Sequence, residues 1–420
     1  MPAARSLGSL PHSSRPLTAE TPEPASVDLR RLRAYRLGRV REQLRAREYA
    51  GCVLYDPINI RYATDSRNMA VWTLHNQVRY CFVATEGPVV LFDFHNCGHL
   101  SQGLETIDEM RPGRAWYFFE AGPRVTEQAA LWAAEIADLV TTHGGGNRRL
   151  ALDNCNPAGA AALAGHGIEV RDGQEVLEMA RLIKSADELA SMIASISVAD
   201  AGAERMREAL VPGITENELW SHLHQVNIAR GGEWIETRLL SSGPRTNPWF
   251  QECSDRVIRG GELVGFDTDM IGPFGYCADF SRTFFCGPGR PSPEQRRLHQ
   301  LAWEQIHHNM DLLRPGLTFR ELAENAWRMP DSCLPNRYSC LVHGVGLKDE
   351  YPHCAYREDM ERAGYDGVFV PGMTVCVESY IGEVGGREGV KLEQQVLITE
   401  TGTELLSRFP FDDDLLAREV

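Results

Sequence analysis

Three aspartates crowd one stretch of the chain, Asp267, Asp269 and Asp279, among Leu263, Val264, Phe266, Tyr276 and Phe284. The spacing predicts a buried strand over Leu263 to Phe266, a turn at Gly272-Pro273, and a second strand from Tyr276 to Phe284 running back beside the first. Side chains alternate along a strand, so Asp267 and Asp269 fall on one face and the return strand brings Asp279 alongside them. Carboxylates this close on apolar strands repel one another, and burying them uncompensated is costly. A multivalent cation removes the conflict. The alternative is a sheet edge whose acids face water.

A metal site needs further donors, and three stand in β-rich apolar runs. His343 follows Cys340-Leu-Val and precedes Gly344-Val-Gly346, glycines that permit close approach of a ligand or another backbone. Glu378 ends Met373-Thr-Val-Cys-Val-Glu378, and Glu393 sits in Val390-Lys-Leu-Glu393-Gln-Gln-Val. Taken singly, each reads as a core histidine or a solvated acid. Taken together, one imidazole and five carboxylates on successive strands fit a binuclear N/O site for iron, manganese, cobalt or zinc.

The rest of the chain must position these groups. Its 420 residues exceed one core of ordinary size, so two domains are expected, with a boundary near residue 175. Residues 1–26, rich in Pro, Ser and Ala, read as a flexible tail, although Arg5 and Arg15 with no acid before Glu20 also fit a transit peptide. Residues 27–175 read as an α/β domain. Asp28 caps a helix to about Arg47, strands follow at Gly51–Tyr55 and Asn59–Ala63, and a hairpin joins Arg79–Thr85 to Val89–Phe94. A helix over Val125–Thr142, strands at Leu150–Asp153 and Gly167–Val170, and a turn at Gly144-Gly-Gly146 complete it. No phosphate-binding glycine loop follows any of these strands. Within residues 176–420, Ser185 with Glu188 and Thr215 with Glu218 announce helices by capping boxes, and Pro291-Ser-Pro293 and Thr318-Phe-Arg-Glu321 open two more.

Composition narrows the class. A formal charge of −15 without a basic stripe argues against nucleic acid or an anionic membrane as partner, and no apolar run reaches membrane-span length. Eleven cysteines, an odd number without a C-x-x-C pair, read as reduced thiols of a cytoplasmic protein.

The order Asp, Asp, His, Glu, Glu, with Ser281-Arg-Thr-Phe284 after the second Asp, Pro371-Gly-Met373 before the first Glu and Lys391-Leu-Glu393 around the last, resembles the creatinase, aminopeptidase P and prolidase superfamily over about residues 175–405. The resemblance implies an α+β architecture: a pita-bread catalytic domain preceded by a smaller creatinase-type α/β domain. Arg181-Leu-Ile-Lys-Ser185 also resembles the superfamily's domain junction.

Departures from the peptidase pattern are informative. Asp267 and Asp279 are twelve apart instead of eleven, with Asp269 added, which implies a bulge or longer turn. Peptidases carry a catalytic His seven residues past the metal His, where this chain has Glu350, and another ahead of the first Asp, near Phe250 here. The altered set, Asp-x-Asp, His343-Gly-Val-Gly with Asp349 at plus six, and Glu378-Ser-Tyr-Ile-Gly382, resembles the dimethylsulfoniopropionate lyases of the superfamily. That resemblance implies β-elimination to dimethyl sulfide and acrylate. It implies metal ligands at Asp267, Asp269, Asp279, His343, Glu378 and Glu393, with Asp279 and Glu393 bridging two divalent ions, iron foremost. It implies a base at Asp349, a substrate contact at Tyr338, Trp72 as a further candidate, and a homodimer. A sulfonium has no hydrogen-bond donor, so aromatic faces such as Tyr338, Trp72 or Trp249 suit it. Two other readings remain: a metal-dependent hydrolase of an Xaa-Pro dipeptide or small zwitterion, and a partner-binding scaffold.

Overall fold

The computed structural model of the protein describes residues 27–416; the expected tail over residues 1–26 lies outside them. Asp28 accepts from the amides of Arg30 and Arg31 and starts α1 (Leu29–Ala46), which buries Leu32, Val40 and Leu44. The chain then lays down β1 (Gly51–Leu54), α2 (Pro57–Thr64), α3 (Ala70–His75), β2 (Tyr80–Ala84), β3 (Val89–Asp93) and β4 (Glu109–Pro112). A short α4 (Phe118–Ala121), α5 (Val125–His143), β5 (Arg149–Leu152), α6 (Pro157–Gly165), β6 (Glu169–Asp172) and α7 (Gln174–Arg181) follow. The six strands form one mixed sheet in the order β4-β3-β2-β1-β5-β6.

One expectation fails here: Asn59–Ala63 is not a strand but the body of α2. Asp56 accepts from the Ile58 amide and Pro57 fills the first turn, a helix start that outweighs local β propensity. All eight residues of α2 are buried, so the run has no amphipathic period to betray it.

The second half opens with α8 (Ala186–Ala209) and α9 (Glu216–Ala229), each begun by the expected capping box. Strands β7 (Trp234–Ile235), β8 (Leu240–Ser242), β9 (Leu263–Asp267), β10 (Met270–Ile271), β11 (Cys277–Ala278) and β12 (Ser281–Phe285) precede α10 (Pro293–Leu312). Then come β13 (Val342–Val345), β14 (Asp349–Cys354), β15 (Thr374–Ile381), β16 (Val390–Ile398) and β17 (Thr403–Leu405). They make a five-stranded sheet β14-β13-β15-β16-β17 and two small sheets, β12-β9-β8 and β11-β10-β7. The predicted hairpin is thus real but broken: β9 pairs with β12 and β10 with β11.

Helices cover both outer surfaces of these strands. Ile196, Met206, Leu219 and Leu223 pack on Val264, Phe266 and Phe284, while Leu298, Ala302 and Ile306 pack on Ile381, Val390 and Leu392. Each such buried aliphatic or aromatic side chain contributes about 1.5–3 kcal/mol. The two strand layers meet where the Thr283 hydroxyl donates to the Lys391 carbonyl at 2.9 Å and the Lys391 amide donates back to it at 3.1 Å. The N-terminal helices are tied to this body by Arg36, whose buried guanidinium donates to the Tyr276 hydroxyl at 2.7 Å. Among the described residues no helix is long and apolar enough to cross a membrane.

Candidate metal centre

Strand register explains why residues so far apart in sequence converge. In the five-stranded sheet His343 faces Cys376, and Glu378 faces Glu393. Directly paired residues share a face, and so do residues two apart. One surface therefore carries His343, Cys376, Glu378, Lys391, Glu393 and Gln395. Asp267 ends β9 opposite Ser281, and Asp279 lies between β11 and β12.

Asp269 arrives by a different route from the expected one. Its backbone has φ +34°, in the left-handed region that Asp tolerates better than most residues, and this kink separates β9 from β10. The side chain still joins the cluster, held by a 2.7 Å bond from the Thr237 hydroxyl. The added residue in the hairpin is thus taken up by a kink at the added aspartate itself.

Donor atoms within 4.8 Å of one another fall into three overlapping groups: Asp279, His343, Cys376 and Glu393; Asp267, Glu378 and Glu393; and Asp267, Asp269 and Asp279. All six expected ligands are brought together. Asp279 and Glu393 are the members that link the histidine group to the other two, as a bridging pair would. His343 turns Nε2 toward Glu378 at 3.3 Å and toward Asp279 and Glu393 at 3.6 Å each. Its Nδ1 lies 3.1 Å from the Gly344 carbonyl, a bond that makes Nδ1 the protonated nitrogen and leaves Nε2 free to ligate.

The chemistry of the donor set fits cations. Asp267 Oδ1, Asp279 Oδ1 and Glu393 Oε1 are buried and accept no hydrogen bond. Leaving buried acceptors of this charge unanswered costs several kcal/mol, and metal ions satisfy them. Burial first, then repulsion from Glu393, pushes the Asp267 and Asp279 carboxyls well above the usual range, and Asp269 is pushed up to about 7 by burial and Asp349. Burial would raise Glu393 too, but Lys391 and His343 hold it well below the ordinary range.

Lys391, unmarked by the sequence reading except as a neighbour of Glu393, stands inside the cluster. Its ammonium lies 2.6 Å from Glu378 Oε2 and 3.1 Å from Asp267 Oδ2 and Glu393 Oε2, and donates to the Ser281 hydroxyl at 2.6 Å. Cys376 was missed as well; its thiol lies 3.5 Å from Asp279 Oδ2. Period two along β15 and β16, which places Cys376 with Glu378 and Lys391 with Glu393, was the available signal.

Asp349 begins β14, with Oδ1 3.6 Å from His343 Nδ1 and a side chain 63 % exposed. It opens with Tyr338 and His343 onto a recess of about 280 Å³. A larger recess of about 460 Å³, around Arg259, Gln295 and Glu388, contains none of these residues. Glu350 lines the same recess, but its buried carboxylate is already paired: Arg181 Nε reaches Oε1 at 3.0 Å and Lys184 Nζ reaches Oε2 at 2.8 Å. Burial would raise its carboxyl, but Lys184 and Arg181 hold it below the ordinary range.

The aromatic candidates are placed less directly. The Tyr338 ring has the Lys391 ammonium 4.6 Å from its centroid and the Phe250 ring stacked at 5.1 Å. Trp249 is buried, with the same ammonium at 6.0 Å. Trp72 is not brought to the cluster: it sits on α3 and packs on Phe94 at 5.4 Å.

Residues 190–400 match the model of metallopeptidase family M24. The chain is 43 % identical over 399 residues, 94 % of itself and 90 % of the relative, to dimethylsulfoniopropionate lyase DddP of Roseovarius nubinhibens. It is 42 % identical over 397 residues, 93 % and 89 %, to the protein of the same description from Roseobacter denitrificans. In fold it is similar to an Xaa-Pro dipeptidase from Bacillus anthracis, with TM-score 0.70 at 21 % identity over 90 % of this chain and 98 % of the other. A dipeptidase PepE from Mycobacterium ulcerans matches with TM-score 0.69 at 21 % identity over 91 % and 97 %.

Proposed function

Because the chain belongs to metallopeptidase family M24 and, within it, to the dimethylsulfoniopropionate lyases, we propose that it cleaves dimethylsulfoniopropionate to dimethyl sulfide and acrylate by β-elimination. The observation that carries this reading is the recess itself. Asp349, the residue six past His343, opens onto it beside that imidazole, while Glu350, where peptidases carry a histidine, is consumed by Arg181 and Lys184.

Asp267, Asp269, Asp279, His343, Glu378 and Glu393 are the residues that would hold two divalent ions. Bound there, the ions supply positive charge that draws the substrate carboxylate and offsets the charge developing beside it. Iron is our proposed occupant, and manganese, cobalt and zinc suit the same imidazole and carboxylate donors. Asp349 takes a proton from the carbon next to the substrate carboxylate. The electron pair of that C–H bond becomes the C=C bond of acrylate, and the pair of the C–S bond leaves on sulfur, so the sulfonium departs as a neutral thioether. The proton on Asp349 passes to water at its exposed edge. Tyr338 lines the recess with its ring engaged by Lys391 and Phe250, so its contact with substrate runs through the hydroxyl or ring edge.

Headspace analysis tests the reading. Protein supplied with dimethylsulfoniopropionate is expected to release dimethyl sulfide, to stop after exhaustive chelation, and to resume when Fe2+ or Mn2+ is restored. No release from metal-loaded protein would sink the lyase reading and turn attention to hydrolysis of proline dipeptides and small zwitterionic amides.

We also propose a homodimer in the cytoplasm. Beside Trp72, the exposed Met69, Val71 and Leu74 give α3 and its approach an apolar surface suited to a second copy. Sedimentation equilibrium is expected to return twice the 46.9 kDa chain mass, and Val71→Asp to shift it toward one; a wild-type monomer would remove this part of the proposal.

A further inference from the structure

Lys391 is the only lysine or arginine among the described residues with its charged nitrogen within 4 Å of a side-chain carboxylate oxygen of the expected ligands. Its side chain is fully buried, and Asp267, Glu378 and Glu393 each give it an oxygen. The other buried cation nearby is spent elsewhere: Arg282 donates to the carbonyls of Ser281, Glu393 and Phe409 and to Gln394 Oε1, and to no carboxylate. The cluster meanwhile holds five carboxylates and a histidine whose Nδ1 proton goes to a carbonyl, leaving the ring neutral when Nε2 ligates. Five ionised carboxylates and one ammonium leave four negative charges, the number that two divalent ions cancel.

We propose that Lys391 sets the charge of the centre: its ammonium balances the fifth carboxylate, supplied by Asp269, so that the site as a whole is matched to two divalent ions and not to a more highly charged pair. The position of Lys391 makes this a trade. Its three hydrogen bonds, to Ser281, Glu378 and Glu393, and its ion pair with Asp267 orient these oxygens, which favours a fixed geometry, yet a buried positive charge this close repels an incoming dication. Interactions between unit charges at such range are worth several kcal/mol at the effective dielectric of protein interiors, more than the hydrogen bonds that Lys391 supplies. Charge therefore dominates, and Lys391 holds metal affinity down while keeping the metal-free protein intact.

The proposal rests on reading the cluster as a dimetal site and is independent of the reaction performed there. Its test uses wild type, K391M, K391R and D269N/K391M, purified in the presence of Mn2+, then stripped, and followed by melting temperature and Mn2+ titration. Metal-free K391M is expected to melt about 5–10 °C below metal-free wild type, and to half-saturate with Mn2+ at a concentration lower by at least about tenfold. K391R is expected to track wild type. D269N/K391M, with the charge count restored but none of the lysine contacts, is expected to recover most of the lost melting temperature. Weaker Mn2+ binding by K391M, a double variant no more stable than K391M, or a K391M that stays unfolded even with Mn2+ present would each overturn the charge role and leave Lys391 as a packing residue. Wild-type protein that takes up no Mn2+ would overturn the dimetal reading itself.

Discussion

Asp349→Asn is expected to lower the rate of dimethyl sulfide release by about 10²- to 10⁴-fold while the protein keeps its full complement of metal. The substitution preserves shape and removes only the ability to take up a proton at Oδ. The competing role for Asp349 is orientation of His343, because Oδ1 lies 3.6 Å from Nδ1. Carboxylates that steer a ligating histidine usually matter to metal affinity by 10- to 100-fold. Here, however, Nδ1 already has the Gly344 carbonyl at 3.1 Å, a shorter and sufficient partner. Metal analysis alongside the rate therefore separates the two roles. A variant that loses iron or manganese in proportion to activity would make Asp349 a positioning residue, and one that keeps full activity would remove it from the reaction altogether.

What the sequence made legible follows the reach of each physical rule. Capping boxes are local and chemical, so Ser185 with Glu188, Thr215 with Glu218 and Thr318 with Glu321 stand where expected. The converging acids were legible because a buried carboxylate is expensive on any apolar strand, whatever its tertiary neighbours. Three things were not. The run Asn59–Ala63 is buried throughout, its polar Asn59 and Arg61 included, so only its cap at Asp56 distinguished helix from strand. Asp269 reaches the cluster through a left-handed backbone turn that alternation along a regular strand does not foresee. Lys391 looks in sequence like the solvated partner of a strand, and only the register of β15 on β16, with Tyr380 opposite it and Glu378 beside it, turns its ammonium inward. Trp72 packs on Phe94, outside the cluster of its own chain, and in the proposed homodimer the role expected of it belongs to the site of a second subunit.

Asp279→Ala is expected to reduce bound metal from about two ions per chain to fewer than one and to bring dimethyl sulfide release to background. Asp279 belongs to two of the three donor groups and alone joins the histidine side to the Asp267–Asp269 side. Its removal therefore withdraws a donor from both ions, whereas loss of Glu378, a member of one group, is expected to cost one ion first. The same substitution should be tolerated by the fold. Asp279 Oδ1 has no hydrogen-bond donor, and the carboxyl is pushed well above its usual range by burial and by Glu393, so in metal-free protein it is a burden on stability at neutral pH. The sign is definite: a folded-state carboxyl that holds its proton more tightly than the unfolded one favours folding at low pH and loses that advantage as pH rises past the unfolded value. Metal-free Asp279→Ala at pH 7.5 should then melt no lower than metal-free wild type, the lost charge offsetting the small cavity. Calorimetry of both stripped proteins beside their metal content decides it. A variant that retains two ions would break the bridging role, and one that melts far below wild type would mean that Asp279 is needed to build the fold, so that its loss of activity says nothing about metal.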